Sequence, residues 1–199
     1  MNNRLKAIRI LVLLSFVIGI VSTSLFVPQE TAQAECGGTT FNEIVNENCL
    51  IGNPVSEWDV IGAGDANIQG FATDISVDQG GTIDFKVDTV AETYTIDIYR
   101  LGYYGGNGAR KVAALGSFPG TDQVACLPDA TNGNLIDCGS WSVSASWAVP
   151  ADAVSGIYIA KLTRLDTLGA SHITFIVRDD DGRSDLLFQT SDTTWQAYN

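Results

Sequence analysis

Apolar and polar residues alternate with a period of two through most of the chain after residue 70. Phe71, Thr73, Ile75 and Val77 alternate with Ala72, Asp74 and Ser76, and Ile83, Phe85 and Val87 alternate with Asp84, Lys86 and Asp88. Tyr94, Ile96 and Ile98 share one face, with Thr93, Thr95, Asp97 and Tyr99 on the other. This period, carried by β-branched and aromatic residues, predicts half-buried strands. Gln79-Gly80-Gly81 supplies a turn between two of them. Residues 111–115 read as a short strand, 118–141 as a long irregular excursion, and 143–149 as a strand ended by Pro150. Residues 156–165 are apolar on both faces at Ile157, Tyr158, Ile159 and Ala160, which predicts a central strand. Tyr158, just after the Gly156 corner, resembles the tyrosine corner of Greek-key sandwiches. Ile173, Phe175 and Val177 define a last strand. About seven short strands with turn signals predict an all-β chain, an immunoglobulin-like two-sheet β-sandwich over residues 56–178.

The N-terminus breaks this pattern with a helical apolar run. Arg4, Lys6 and Arg9 form a positive region, residues 10–21 are apolar, and Ala32-Gln33-Ala34 is an A-x-A cleavage signal. Residues 1–34 therefore read as a signal helix cleaved after Ala34. The rival reading is an uncleaved membrane anchor, since apolar character continues weakly through Phe26 and Val27, but Ser22, Thr23 and Ser24 interrupt the run before it reaches the length of a membrane span. Export to the cell envelope or beyond follows, with no membrane attachment after cleavage.

Export changes the meaning of the cysteines. Cys36, Cys49, Cys126 and Cys138 all follow the cleavage site, and an oxidising compartment favours two disulfides. Three pairings are open. The expected ones are local, Cys36 to Cys49 and Cys126 to Cys138, each closing a short loop. On this reading residues 35–55 form an extended, disulfide-closed leader. Zinc is excluded on spacing, because no CxxC occurs and His172 is the single histidine; its place in a strand pattern marks it as structural.

Composition narrows the partners. The chain is 45% hydrophobic, enough for a core, with 20 glycines. A net charge of −12 excludes nucleic acid, whose phosphates need clustered Lys and Arg, and an anionic membrane surface. The glycine-rich stretch after the Tyr94 strand fails both phosphate-binding patterns: Asn107 stands where a P-loop needs glycine, and Lys111 where a dinucleotide fingerprint needs it. Gly62-x-Gly64 lacks its third glycine at Asn67. Asp179-Asp180-Asp181-Gly182 fails as a calcium loop, with Arg183 and Ser184 at required positions. The glycine stretch is a turn, and Tyr103, Tyr104 and Arg110 are its binding or docking candidates, since aromatics and arginine are enriched where surfaces meet. The residues form no recognisable catalytic triad, metal cluster or paired carboxylates, so no activity is expected of this chain alone.

Beyond the sandwich, residues 179–184 read as an acidic linker. Residues 185–190 have three consecutive apolar positions, Leu186, Leu187 and Phe188, as in a parallel strand buried on both faces, and read as the first strand of a following α/β domain. Residues 191–199 would leave that strand at its C-terminal end, where open α/β sheets place ligand sites. Asp192, Trp195 and Tyr198 are then the active-site candidates of a full-length protein.

The strings SEWDV, GFATDISV, IDIYRLGYYGGNGARKV, SWAVPADAVSGIYIAKL and SDLLFQTSDTTWQAYN, over roughly residues 56–199, resemble the N-terminal part of secreted bacterial proteins similar to the N,N-dimethylformamidase large (beta) subunit. That resemblance implies a sandwich preceding a larger catalytic region. It implies amide hydrolysis at a mononuclear iron held by tyrosines and a glutamate, with Tyr198 a candidate ligand. The chain ends where that region would begin, so residues 185–199 would be the start of a truncated catalytic-type domain and the iron site is incomplete here. The expected role is a non-catalytic accessory sandwich whose partner is the following catalytic domain in cis. The alternative is a self-standing extracellular module that binds carbohydrate or protein.

Overall fold

The computed structural model describes residues 36, 42–133, 135–184 and 187–191. The expected signal segment and Asp192, Trp195 and Tyr198 lie outside the described residues. Among those described, two sheets pack face to face. The larger has the order β2 (Ser76–Asp78), β10 (Ala170–Arg178), β9 (Gly156–Arg164), β4 (Thr93–Leu101), β5 (Ala109–Pro119). The smaller has the order β1 (Ile68–Ala72), β3 (Thr82–Thr89), β8 (Ala145–Ala148), and a hairpin joins β6 (Leu127–Asp129) to β7 (Leu135–Asp137).

The alternation does what it predicts. Ile83, Phe85 and Val87 of β3 face Ile96, Ile98 and Tyr94 of β4, Tyr158 and Leu162 of β9, and Ile173 and Phe175 of β10, all buried in one cluster. Phe85, Trp147, Tyr158 and Phe175 make ring contacts at 5.6–5.9 Å between centroids, an edge-and-tilt packing worth about 1 kcal/mol per pair beyond burial. The two-sided strand at Gly156–Arg164 is central, between β10 and β4. Its Tyr158 hydroxyl donates to the Val154 carbonyl at 2.6 Å, four residues back, so the tyrosine corner is present.

Four expectations change. The predicted strand over 71–77 is two strands in different sheets: β1 pairs antiparallel with β3, and β2 parallel with β10. Residues 73–75 cross between the sheets, so Ile75 is exposed while Val77 reaches the core. Alternation alone cannot reveal that hand-over, because the period survives the bend. The strand expected at 111–115 runs for 11 residues and is bulged, skipping Leu115 opposite Ile96/Asp97 and Val112 opposite Ile98/Tyr99. Such bulges twist an edge strand away from further pairing. The leader is not extended: it contains α1 (Glu43–Asn48) and the single turn α2 (Val55–Trp58). The Asn42 side chain caps α1 by accepting from the N–H groups of Ile44 and Val45. Both disulfides are the local ones, Cys36–Cys49 and Cys126–Cys138. The strand expected over residues 185–190 is not formed at 187–190, where Leu187 and Phe188 stand in solvent with no sheet to pair with; Asp185 and Leu186 lie outside the described residues.

The register fixes one more relation. Val177 pairs with Gly156 and Arg100 with Tyr158, so β10 ends at the same end of the sheet where β4 enters the glycine turn.

Candidate functional site

That end is organised around Arg100, the last buried residue of β4. A cation stands there, in a strand otherwise apolar on its buried face, because main-chain acceptors surround it. Its guanidinium donates to the carbonyls of Val154 (3.2 Å), Ser155 (2.8 Å) and Leu101 (3.4 Å) and to the Tyr104 hydroxyl (3.1 Å). Tyr104 in turn donates its hydroxyl proton to Glu47 Oε1 at 2.8 Å. Arg110, at the start of β5, closes the set with Nε and Nη2 on the same oxygen at 2.7 and 2.6 Å. Glu47 thus arrives from α1, Tyr104 from the turn, and the two arginines from the strands on either side of it.

The turn and the leader clamp each other. The Tyr103 N–H donates to the Asn48 side chain at 2.5 Å, the Asn53 N–H to the Ala109 carbonyl at 2.8 Å, and the Lys111 N–H to the Asn53 side chain at 2.7 Å. The Trp58 indole donates to the Asn107 carbonyl at 3.0 Å. Glycine is required where the segments touch: a Cβ on Gly52 would lie 2.6 Å from the Tyr104 Cβ. Tyr104 itself holds φ at 43°, a left-handed value unfavourable for a buried aromatic, and the bonds to Glu47 and Arg100 hold it there.

Burial raises the Tyr104 pKa, only partly opposed by Arg100, so its hydroxyl stays a proton donor. Burial works against the charge on Arg110, but the Glu47 carboxylate more than offsets it and the guanidinium pKa lies above its usual value. A pocket of about 180 Å³ opens beside the pair, lined by Glu47, Arg110, Trp147, Asp152 and Tyr158 among others.

The sequence candidates in this stretch therefore separate. Tyr103 is 63% exposed at the tip of the turn, while Tyr104 is buried and Arg110 is half-buried in its ion pair. Tyr104 and Arg110 do not stand on an open loop, because the leader expected to lie extended folds back as α1 and covers them. Glu47 and Arg100 escaped the sequence reading. An arginine just before a glycine turn, and an Asn-Glu helix start at residues 42–43, were the signals available.

A tyrosine beside a glutamate is the donor type implied for iron, but these residues do not fit it. The Arg110 guanidinium already neutralises the Glu47 carboxylate and the Arg100 guanidinium already occupies the Tyr104 hydroxyl, so a metal cation would lie against both arginines. Among the described residues no group of three or more His, Cys, Asp or Glu is placed to hold a metal ion, and no helix is long and apolar enough to cross a membrane.

A second site lies along the other side of β10. It is a cleft of about 720 Å³ bounded by β1, the crossing at residues 74–75, the second disulfide loop and β10, with Thr190 and Ser191 on its wall. Phe71 and Trp141 form an aromatic shelf there, their centroids 5.6 Å apart and tilted 37°. The half-buried His172 also lines the cleft, but its Nε2–H donates to the Trp58 carbonyl at 2.5 Å, so it is the satisfied structural histidine expected. Burial lowers its pKa.

Comparisons with known proteins place residues 95–199 in a family model described as N,N-dimethylformamidase beta subunit-like, C-terminal. No curated protein matches the chain. Among solved structures, a lytic polysaccharide monooxygenase of the AA10 class from Streptomyces lividans is similar at 14% identity, covering 51% of this chain and 56% of that one, with a TM-score of 0.29. A chitin binding domain from Burkholderia pseudomallei is similar at 16% identity, covering 54% and 57%, with a TM-score of 0.31. At such scores the fold assignment rests on the strands themselves.

Proposed function

The chain belongs to the N,N-dimethylformamidase beta subunit-like family, and from that premise we propose that it is the accessory β-sandwich of an exported amide (C–N) hydrolase, without catalytic activity of its own. The supporting observation is the glycine-loop end. Its charged groups are spent on one another, Glu47 on Arg110 and Tyr104, and Arg100 on main-chain carbonyls. What this leaves is a surface from which the exposed Tyr103 projects. The chain also leaves β10 at this end, two strand spacings, about 10 Å, from β4. The partner proposed for that surface is the following catalytic region of the same protein. Any iron of a full-length relative belongs to that region, Tyr198 being its candidate ligand in this chain, with Asp192 and Trp195 beside it. Two disulfides support a location outside the cytoplasm.

The test is direct. Purified chain, with and without ferrous or ferric iron, is offered N,N-dimethylformamide and formamide, and amine or ammonia release is measured. No turnover is expected. Release that tracks this protein through successive purification steps overturns the proposal.

A further inference from the structure

The clamp commits Glu47, Arg100, Tyr104 and Arg110 to one another and to main-chain carbonyls, whereas the cleft beside β10 is furnished and open. Its volume of about 720 Å³ lies within the range of sites for small organic ligands. The shelf is held in place from several directions. The Trp141 indole N–H donates to the Val124 carbonyl at 2.8 Å, and its main-chain N–H to the Cys138 carbonyl at 3.0 Å, both at the foot of the loop closed by the second disulfide. Lys86 lies 5.8 Å from the Phe71 ring centre and donates to the Gly139 carbonyl at 2.7 Å, joining the two halves of the shelf. Both rings are only partly buried, so apolar faces remain for a ligand.

Polar groups stand around these faces. Gln69 and Thr174 line the cleft, and their side chains have no partner among the described residues. The outward main-chain groups of His172 and Thr174 are likewise unpaired there, since β2 pairs only with Ile176, Val177 and Arg178. Asp74 and Asp137 stand on the wall and disfavour an anion, and the Lys86 ammonium beside the rings disfavours a cation.

We propose that this cleft binds a neutral, extended oligosaccharide, its sugar rings lying on Phe71 and Trp141 and its hydroxyls meeting Gln69, Asp74 and Thr174. A pyranose with equatorial substituents has an apolar C–H face for an aromatic ring. It carries hydroxyls at its rim, each able to donate and accept, so they match amide, carboxylate and main-chain partners without a fixed register. An added peptide strand fits less well. The β10 edge is open for only about five residues, between the Asp65 N–H that meets the Ala170 carbonyl and the β2 pairing that begins at Ile176.

Titration calorimetry and tryptophan emission with cellohexaose and chitohexaose test the proposal on the oxidised protein. At least one should bind and shift the emission. W141A and F71A, with far-UV circular dichroism unchanged, should each weaken binding about tenfold or more, W141F should retain most of it, and Y103A all of it. Absence of binding by either sugar at millimolar concentration overturns the proposal. So does binding that W141A and F71A leave intact, or saturable binding only of an extended peptide with alternating apolar residues. None of these readouts involves amide hydrolysis, so failure here leaves the accessory role standing, and the reverse holds.

Discussion

Tyr103 and Tyr104 are neighbours in sequence with opposite fates, and the contrast separates two regions of the molecule. At the glycine-loop end, polar and charged side chains are buried and joined to one another through Glu47. Along the cleft, aromatic rings stand half-open and the polar side chains of Gln69 and Thr174 find no partner among the described residues. The first arrangement spends its chemistry on holding the fold, and the second keeps its chemistry for something else. Burial of a titratable residue is therefore a poor guide to function here. What distinguishes the regions is whether the polar groups are already answered.

The comparison breaks first at Glu47. Its side chain is 6% exposed and its carboxylate is shared by Arg110 and Tyr104. Truncation in Glu47→Ala leaves a guanidinium and a strained tyrosine without their acceptor, and should cost about 3 kcal/mol, in the range for removing one partner of a buried pair. Glu47→Gln, which keeps an acceptor but not the charge, should cost less. Urea unfolding at neutral pH measures both, and a loss below about 0.5 kcal/mol for the alanine variant would show that the network does not hold this end.

A smaller effect belongs to the tyrosine corner. Tyr158→Phe removes only the bond to the Val154 carbonyl, one of the carbonyl pair that also receives Arg100, and should cost about 1 kcal/mol. Tyr103→Ala, at the exposed tip of the turn, should stay within about 0.5 kcal/mol. Equal losses for the two variants would erase the distinction between the bonded, buried tyrosine of the corner and the exposed tyrosine of the turn.

The core was legible in sequence because a period of two survives translation into a buried face. Ile83, Phe85, Val87, Ile96, Ile98, Phe175 and Val177 could all be placed without coordinates, and so could the corner at Tyr158. The local disulfides followed from loop lengths. The clamp was not legible, because Glu47 meets Arg110 across 63 residues and nothing periodic links them. The cleft was hidden for a related reason: Phe71 and Trp141 belong to different excursions of the chain, and the bend at residues 73–75 that opens the groove leaves the alternation undisturbed. Local pattern reports which face is buried, not which distant segment covers it.

The smallest effect expected is a pH dependence at His172, on the border between the two regions. Burial lowers its pKa from the ordinary value of 6.5, the bond to the Trp58 carbonyl partly opposes this, Lys161 lowers it further and Asp59 raises it. With a folded pKa below the unfolded one, both states are neutral above the ordinary value and nothing is lost there. As pH falls through 6.5 the unfolded chain takes up its proton first, so folding stability declines, and the decline from this residue stops once pH passes below the folded value. His172→Gln should remove that component while leaving the carboxylate-driven loss at lower pH. Because the chain has one histidine, its imidazole proton signal is a unique probe, and its NMR titration midpoint should lie below 6.5. Urea midpoints at about pH 7.5 and about pH 5 should converge more closely in His172→Gln than in the parent. A midpoint at or above the ordinary value would mean that the ring is solvated or paired with an acid, and that the edge of the cleft is wetter than its geometry indicates.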